Sequence, residues 1–377
     1  TGSGSLTLSG MNSYSGGTVL EQGILGINSD SALGNSSSRL VMYNTTTLQL
    51  DGDVNSRRTV TLAGGPSSTM TINTQGNNGV FSGNIDGRGG LVKSGSGMLT
   101  LYGNNLYQGD TVLEEGVLSI NSDSALGNSN SHLVMYDTTT LQLDGDVNSR
   151  RTVTLAGGPS STMTINTQGN NGVFSGNIDG HGGLVKTGSG MLTLYGNNLY
   201  QGGTRVEKGI LAINSDASLG GDVGSLELWD NTTLKLDGNV SMNSRPVIIG
   251  DSGSTVPQSV TIDTQEYTGL ISQNIGQSIG GDTRLVKTGT GILGLYGNNT
   301  YSGDTMVKNG TVAVISSFGL GKGDVYLGDY EGNDNTQGVL RADADIDFRN
   351  SGQSIFLNKG GGAINTNGNI VILGENT

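Results

Sequence analysis

The residues most able to do chemistry in this 377-residue chain are carboxylates and guanidinium groups gathered at one recurring turn. Asp51 and Asp53 flank a single glycine, and Arg57 and Arg58 follow. The same set returns as Asp144, Asp146, Arg150 and Arg151. Two carboxylates facing each other about 5 to 9 Å apart across a groove would suit glycoside hydrolysis. A pair split by one glycine at a turn does not establish that geometry, and exact repetition argues against a single active centre. The alternatives are turn chemistry with a mixed-charge ridge, or a self-association surface on which Asp51 and Asp53 of one molecule face Arg57 and Arg58 of another in an antiparallel zipper.

Other chemical candidates are thinner. The chain has no cysteine, which excludes a thiol nucleophile. Its two histidines, His132 and His181, occupy places held by Arg39 and Arg88 in a sister copy, which fits exposed polar positions better than a catalytic base. Gly250-Asp251-Ser252-Gly253 spells a serine-nucleophile context but stands in an inserted stretch with no neighbouring histidine. Asp329, Asn333 and Asp334 could supply oxygen ligands to calcium, although their spacing matches no metal loop. The expectation is therefore a protein without catalytic residues, metal or cofactor.

What positions these residues is a repeat. Leu40 to Gly87 recurs as Leu133 to Gly180 with one change, Asn44 to Asp137. The unit opens with TGSGSLTLSGMNSYSGGT at Thr1 and returns at Ser94, Thr187 and Thr288, after 93, 93 and 101 residues. The units are thus 1–93, 94–186, 187–287 and 288–377, the third carrying about eight additional residues, mostly between Arg245 and Lys287. A protruding ligand loop is expected there, around Asp251 to Thr268. Long internal repeats mean an array of one structural unit.

The units read as all-β. Ser5-Leu-Thr-Leu8, Thr59-Val-Thr-Leu62 and Met70-Thr-Ile72 alternate between turn residues, and no helical periodicity persists. With 66 glycines and only 4 prolines, the chain suits tight turns between uninterrupted ladders. Antiparallel sandwich domains would need two-residue hairpin turns, which are scarce. A single right-handed parallel β-helix of roughly 16 coils fits better. Each coil holds about 20 to 25 residues and rises about 4.8 Å, giving four coils per repeat and a rod of about 75 Å. Identical loops would then return about 19 Å apart on one side. Seven of the 12 tyrosines fall at two repeat positions, Tyr14, Tyr107, Tyr200 and Tyr301, then Tyr102, Tyr195 and Tyr296, with Trp229 in place of Tyr43 and Tyr136. They read as packing anchors, with an exposed sugar-gripping stripe as the alternative.

The pattern Gly4, Leu6, Leu8, Gly10, Asn12, Tyr14, Gly16, Thr18, Gly23, Leu25, Asn28-Ser29 and Leu33-Gly34 resembles the passenger-associated transport repeat of bacterial autotransporters. It reappears at Gly97 to Gly127, Gly190 to Gly220 and Gly291 to Gly321, losing Asn-Ser at Val314-Ile315-Ser316 in the last copy. The resemblance implies a surface-exposed right-handed β-helix, anchored at the bacterial outer membrane by a C-terminal barrel outside this stretch. Zero cysteine suits export through an oxidising periplasm, and a net charge of −13 argues against nucleic acid as partner. Neither end carries a signal peptide or barrel strands, so the expectation is a piece of a longer protein. The function expected is an adhesin mediating aggregation, biofilm formation or attachment. Its partners would be the same protein on neighbouring cells, or a host surface protein or glycan. The alternatives are a stalk presenting an effector or enzymatic domain, and a polysaccharide-binding or depolymerising β-helix.

Overall fold

In the computed structural model, which describes residues 2–251, 253–329 and 336–374, the chain forms a parallel β-solenoid of about 16 turns. Helical structure among the described residues is limited to short 3-10 turns such as Asp30–Leu33 and Asp123–Leu126. Every strand pairing described is parallel, which rules out antiparallel sandwiches. Strands are two to six residues long, because turn-forming residues, often glycine, asparagine, aspartate or serine, interrupt them at the corners. Two compact units are distinguished, Thr1–Val185 and Lys186–Thr377.

The first unit has three faces, visited in a fixed order. The first face stacks nine strands, from Ser5–Leu8 to Ile178–Gly180. The second begins at Val54–Ser56 and continues through Gly79–Phe81, Met98–Leu101, Val117–Ile120 and Thr140–Leu143. Thr18–Leu20, Leu40–Tyr43, Val60–Ala63 and Ile85–Gly87 make the third. Where that sheet ends, the turn at 105–108 continues the stacking by backbone bonds, Leu106 N–H donating to Ile85 O at 2.8 Å and Gln108 N–H to Gly87 O at 3.1 Å. The second unit is built alike, with eight strands of one face running from Met191–Leu194 to Ile355–Leu357.

Alternation along each strand turns one set of side chains inward, and vertical columns of these form the core. One column reads Leu25, Leu48, Ile72, Lys93 and Leu113, each the register partner of the next. Its counterpart in the second unit is Leu234, Ile262, Lys287, Val307 and Leu327. Each coil leaves only a thin aliphatic strip, so burial comes from stacking on the next coil, which is why the unit must repeat.

The register corrects one expectation. Ser5 climbs through Ile24, Thr47 and Thr71 to Val92 in four steps. The sequence repeat, 93 residues long, carries Ser5 instead to Met98, six residues beyond Val92 and on the second face. One repeat is therefore four coils plus one face. In the second unit Met191 climbs through Ile210, Thr233 and Thr261 to Val286, and the repeat-equivalent residue Ile292 again begins the next face. The additional residues of the third repeat lengthen individual coils, with 28 residues from Thr233 to Thr261 against 24 from Thr47 to Thr71. Identical loops consequently do not recur on one side; each repeat turns its loops onto the next face.

Candidate functional site

The charged turn divides into an exposed half and a buried half. Asp51, Asp53 and Arg57 are exposed, as are Asp144, Asp146 and Arg150. Asp53 accepts the Asn78 backbone N–H at 2.8 Å, and Asp146 accepts that of Asn171 at 2.7 Å, so each second aspartate ties its turn to the next coil. Asp51 accepts from Gln49 at 2.6 Å, and Asp144 from Gln142 at 2.9 Å and the Tyr102 hydroxyl at 3.0 Å.

Arg58 and Arg151 are corrections to the zipper reading. Their side chains are fully buried and engaged within the chain, so they offer nothing to a second molecule. Arg58 reaches under the turn Asp30–Leu33, its Nε on Asp30 Oδ1 at 2.7 Å and its Nη2 on Asp30 Oδ2 at 3.0 Å. It also donates to the carbonyls of Asp30, Leu33, Gly34, Asn35 and Ser38. A short turn leaves carbonyls without partners, and the five N–H groups of a planar guanidinium are shared among them and the Asp30 carboxylate. Arg151 repeats this with Asp123, and Arg245 with Asp216. In the fourth copy both partners change together: Ser317 replaces the aspartate and Gln353 the arginine, its amide donating to Gly321 O and Gly323 O. A second correction concerns direction. Asp51 follows a first-face strand and Asp144 a second-face strand, so the two charged turns do not line one side.

Sequence reasoning missed a buried lysine. Lys93 stands among apolar residues of a core column, and its ammonium donates to Ser94 O, Gly95 O and Glu115 O at 3.0, 2.5 and 2.9 Å. Three donors meet three acceptors, which makes burial of the charge tolerable. Burial still pushes its pKa down to about 8, with the Glu115 carboxylate opposing. Lys186 and Lys287 repeat the arrangement and are likewise lowered to about 8 by burial. The corner closes on Gly116, whose φ of 75° and whose approach to Gly95 O, within 2.6 Å of an added Cβ, leave room for no side chain. The available signal was the lysine recurring just before each Ser/Thr-Gly-Ser/Thr-Gly corner.

The tyrosines split by position, except that Tyr14 of the first copy is 39% exposed. Tyr107, Tyr200 and Tyr301 are fully buried, each hydroxyl bonded to a threonine four residues on, and burial raises all three, Tyr200 to about 12. Tyr102 and Tyr195 are about 40% exposed, with hydroxyls on Asp144 and Asp237 at 3.0 Å. These second-position tyrosines are surface groups, as is half-buried Trp229, which carries Arg205 over its ring at 5.2 Å. His132 is exposed, with its backbone N–H on Asp110. Ser252, Asn333 and Asp334 lie outside the described residues. Among the described residues no group of three or more His, Cys, Asp or Glu is arranged to hold a metal.

Comparison with known proteins places this scaffold. The passenger-associated transport repeat matches at residues 1–27, 91–120, 184–213 and 285–314. The second match contains Lys93, Asn105, Tyr107 and Gly116, the interior corner; Asp51 and Arg57 lie outside all four. The chain is 35% identical to Adhesin BmaC autotransporter of Brucella suis biovar 1 over 227 residues, 54% of this chain and 7% of that protein. It is 30% identical to an Extracellular serine protease of Serratia marcescens over 215 residues, 46% of this chain and 18% of that one. It is also 26% identical to Probable autotransporter YfaL of Escherichia coli over 333 residues, 76% of this chain and 25% of that protein. The chain thus spans a quarter or less of these relatives. No solved structure matches it.

Proposed function

We propose that this chain, which belongs to the autotransporter passengers built from passenger-associated transport repeats and so to the bacterial cell surface, works as an adhesin. Its activity in this reading is non-enzymatic cohesion between cells, or attachment to a host surface protein or glycan. One observation carries the proposal. In the first two repeats an exposed acid–base turn runs directly into a buried arginine, Arg58 or Arg151, whose bonds to the loop 20 to 28 residues earlier anchor the end of that turn. Loops fixed in advance lose little entropy on contact, so modest surfaces can bind. Similarity to a relative named as an adhesin supports the same reading.

Exposed Asp51, Asp53 and Arg57 are the groups of the first repeat available to a second copy, and Asp144, Asp146 and Arg150 those of the second. Because consecutive repeats address different faces, such contacts would radiate to several neighbours rather than zip two molecules along one side. Radiating contacts suit clumping of many cells and aggregation in a biofilm. The test is settling of cells displaying the chain, with and without Arg57→Glu and Arg150→Glu. Slower settling in the variant, and in high salt, is expected. Unchanged settling would remove these turns, and a displayed chain that neither clumps cells nor binds a surface would remove the adhesive reading.

A stalk is the second reading, favoured by the 30% identity to a relative named as an extracellular serine protease. In that case the solenoid would present an enzymatic domain, and the purified chain would show no adhesion of its own.

A further inference from the structure

One corner of the second unit breaks the local rule that the other repeats obey. The turn after the inward column reads Gly76-Asn77, Gly169-Asn170 and Gly368-Asn369 in three copies. The asparagine side chain there donates across to Leu50 O, Leu143 O or Ala342 O at 2.8, 2.9 and 3.0 Å. In the third copy the pair is Glu266-Tyr267, which cannot make that bond. The turn itself is unchanged, Tyr267 N–H donating to Thr264 O at 2.8 Å as Asn77 N–H does to Thr74 O at 2.8 Å. A structural hydrogen bond has been given up and a half-exposed aromatic ring and a free carboxylate put in its place. Departures from local consistency without a structural gain are where function is expected.

The exchange opens onto a groove of about 440 Å³ lined by Asp237, Gln265, Glu266, Tyr267, Thr290 and Asn309. These residues belong to consecutive corners, so the groove runs across about three coil spacings, about 14 Å. Tyr195, about 40% exposed, stands beside it with its hydroxyl on Asp237 Oδ2 at 3.0 Å, and Lys235 holds Asp237 Oδ1 at 2.6 Å. Aromatic faces accept the C–H faces of pyranose rings, while carboxylate and amide oxygens accept from hydroxyl or ammonium groups. Lys235 balances Asp237, so it is the exposed Glu266 carboxylate that repels sialylated or uronic acid sugars.

We infer that this groove binds a short stretch of a neutral or amino-sugar polysaccharide, with Tyr267 as the stacking platform and Glu266 and Asp237 as acceptors. The inference rests on the adhesive reading and supplies its ligand class. Gln265, Glu266 and Tyr267 of this groove lie in the stretch Asp251 to Thr268 that the lengthened repeat singles out, whereas Asp237, Thr290 and Asn309 come from the neighbouring coils.

The test uses the variant Glu266→Gly with Tyr267→Asn, the pair its sister copies carry at the same turn, so folding is retained. Calorimetric titration with tetramers of N-acetylglucosamine, of glucosamine and of galacturonic acid is the measurement. Binding of one or both of the first two, weakened at least tenfold by the double variant at unchanged melting temperature, is the expected result. Absence of binding to both, equal binding by the variant, or preference for the galacturonate tetramer would overturn the site. Settling of displaying cells, run in parallel, separates the two levels. Intact settling with no sugar binding removes this groove alone, whereas sugar binding without any settling or surface attachment removes the adhesive reading alone.

Discussion

Arg58 and Asp30 meet across 28 residues of chain, with two N–O contacts of 2.7 and 3.0 Å and the arginine side chain fully buried. The fourth copy has Gln353 and Ser317 in these places, so the acid and the base are lost together and the turn Ser317–Leu320 still forms. The pair therefore behaves as one element. Asp30→Ser alone strands a buried cation and is expected to lower the stability of the first unit by about 3 kcal/mol. Asp30→Ser with Arg58→Gln should cost less than that single change, about 1–2 kcal/mol, because the amide still serves two carbonyls. Urea unfolding of the three proteins measures this; a double variant weaker than Asp30→Ser would show that the two are not coupled.

Lys93 gives a pH dependence of defined sign. Its folded pKa, about 8, lies below the ordinary 10.5. Between those values the unfolded chain binds more protons, so the contribution of Lys93 to stability rises with pH across that window. Below pH 8 both states are protonated and the full cost of burying the ammonium is present. Tyr107, whose pKa burial raises, acts oppositely above about pH 10, where the unfolded phenol ionises first and stability falls. Lys93→Met should flatten the rise between pH 8 and 10 in melting curves of the first unit. Parallel slopes for the two proteins would contradict this account.

Tyr107 packs its ring on Gly127, where φ is 77° and an added Cβ would lie 2.7 Å from the ring. Tyr107→Ala is expected to cost about 3–5 kcal/mol through the cavity it leaves. Tyr107→Phe loses only the hydroxyl bond to Thr111, about 1 kcal/mol. Gly127→Ala should cost about 2 kcal/mol or more, combining left-handed strain with the collision. Chemical denaturation reads all three, and a Phe variant as weak as Ala would locate the effect in the hydroxyl.

These residues also show what the sequence made legible. The parallel stacked strands could be read from repeat length, scarce proline and alternating runs, and the buried tyrosine at Tyr107 from its place between strand and glycine turn. Arg58 and Lys93 could not be read so. Charge normally marks surface, and only the geometry shows carbonyls converging on Arg58 from a turn 20 to 28 residues earlier, and on Lys93 from the corner that follows it and the corner of the next coil. The direction of successive loops was hidden for another reason. Coil lengths of about 20 to 25 residues allow 93 residues to be four coils, whereas the register from Ser5 to Val92 closes four coils in six residues fewer.

That offset can be measured directly, and the absence of native cysteine makes the labelling clean. Asn55 is exposed on the second face of the first unit, and four register steps carry it through Val80, Thr100 and Ser119 to Gln142. Its sequence equivalent is Asn148, also exposed, in a strand that the chain enters one face later. Spin labels at Asn55→Cys and Gln142→Cys should sit about 19 Å apart between backbones, four coil spacings along one face. Labels at Asn55→Cys and Asn148→Cys should lie farther apart, since their side chains leave different faces. If the 93-residue pair proved the shorter, equivalent loops would stack on one side, and a zipper along one face would again be the geometry of contact.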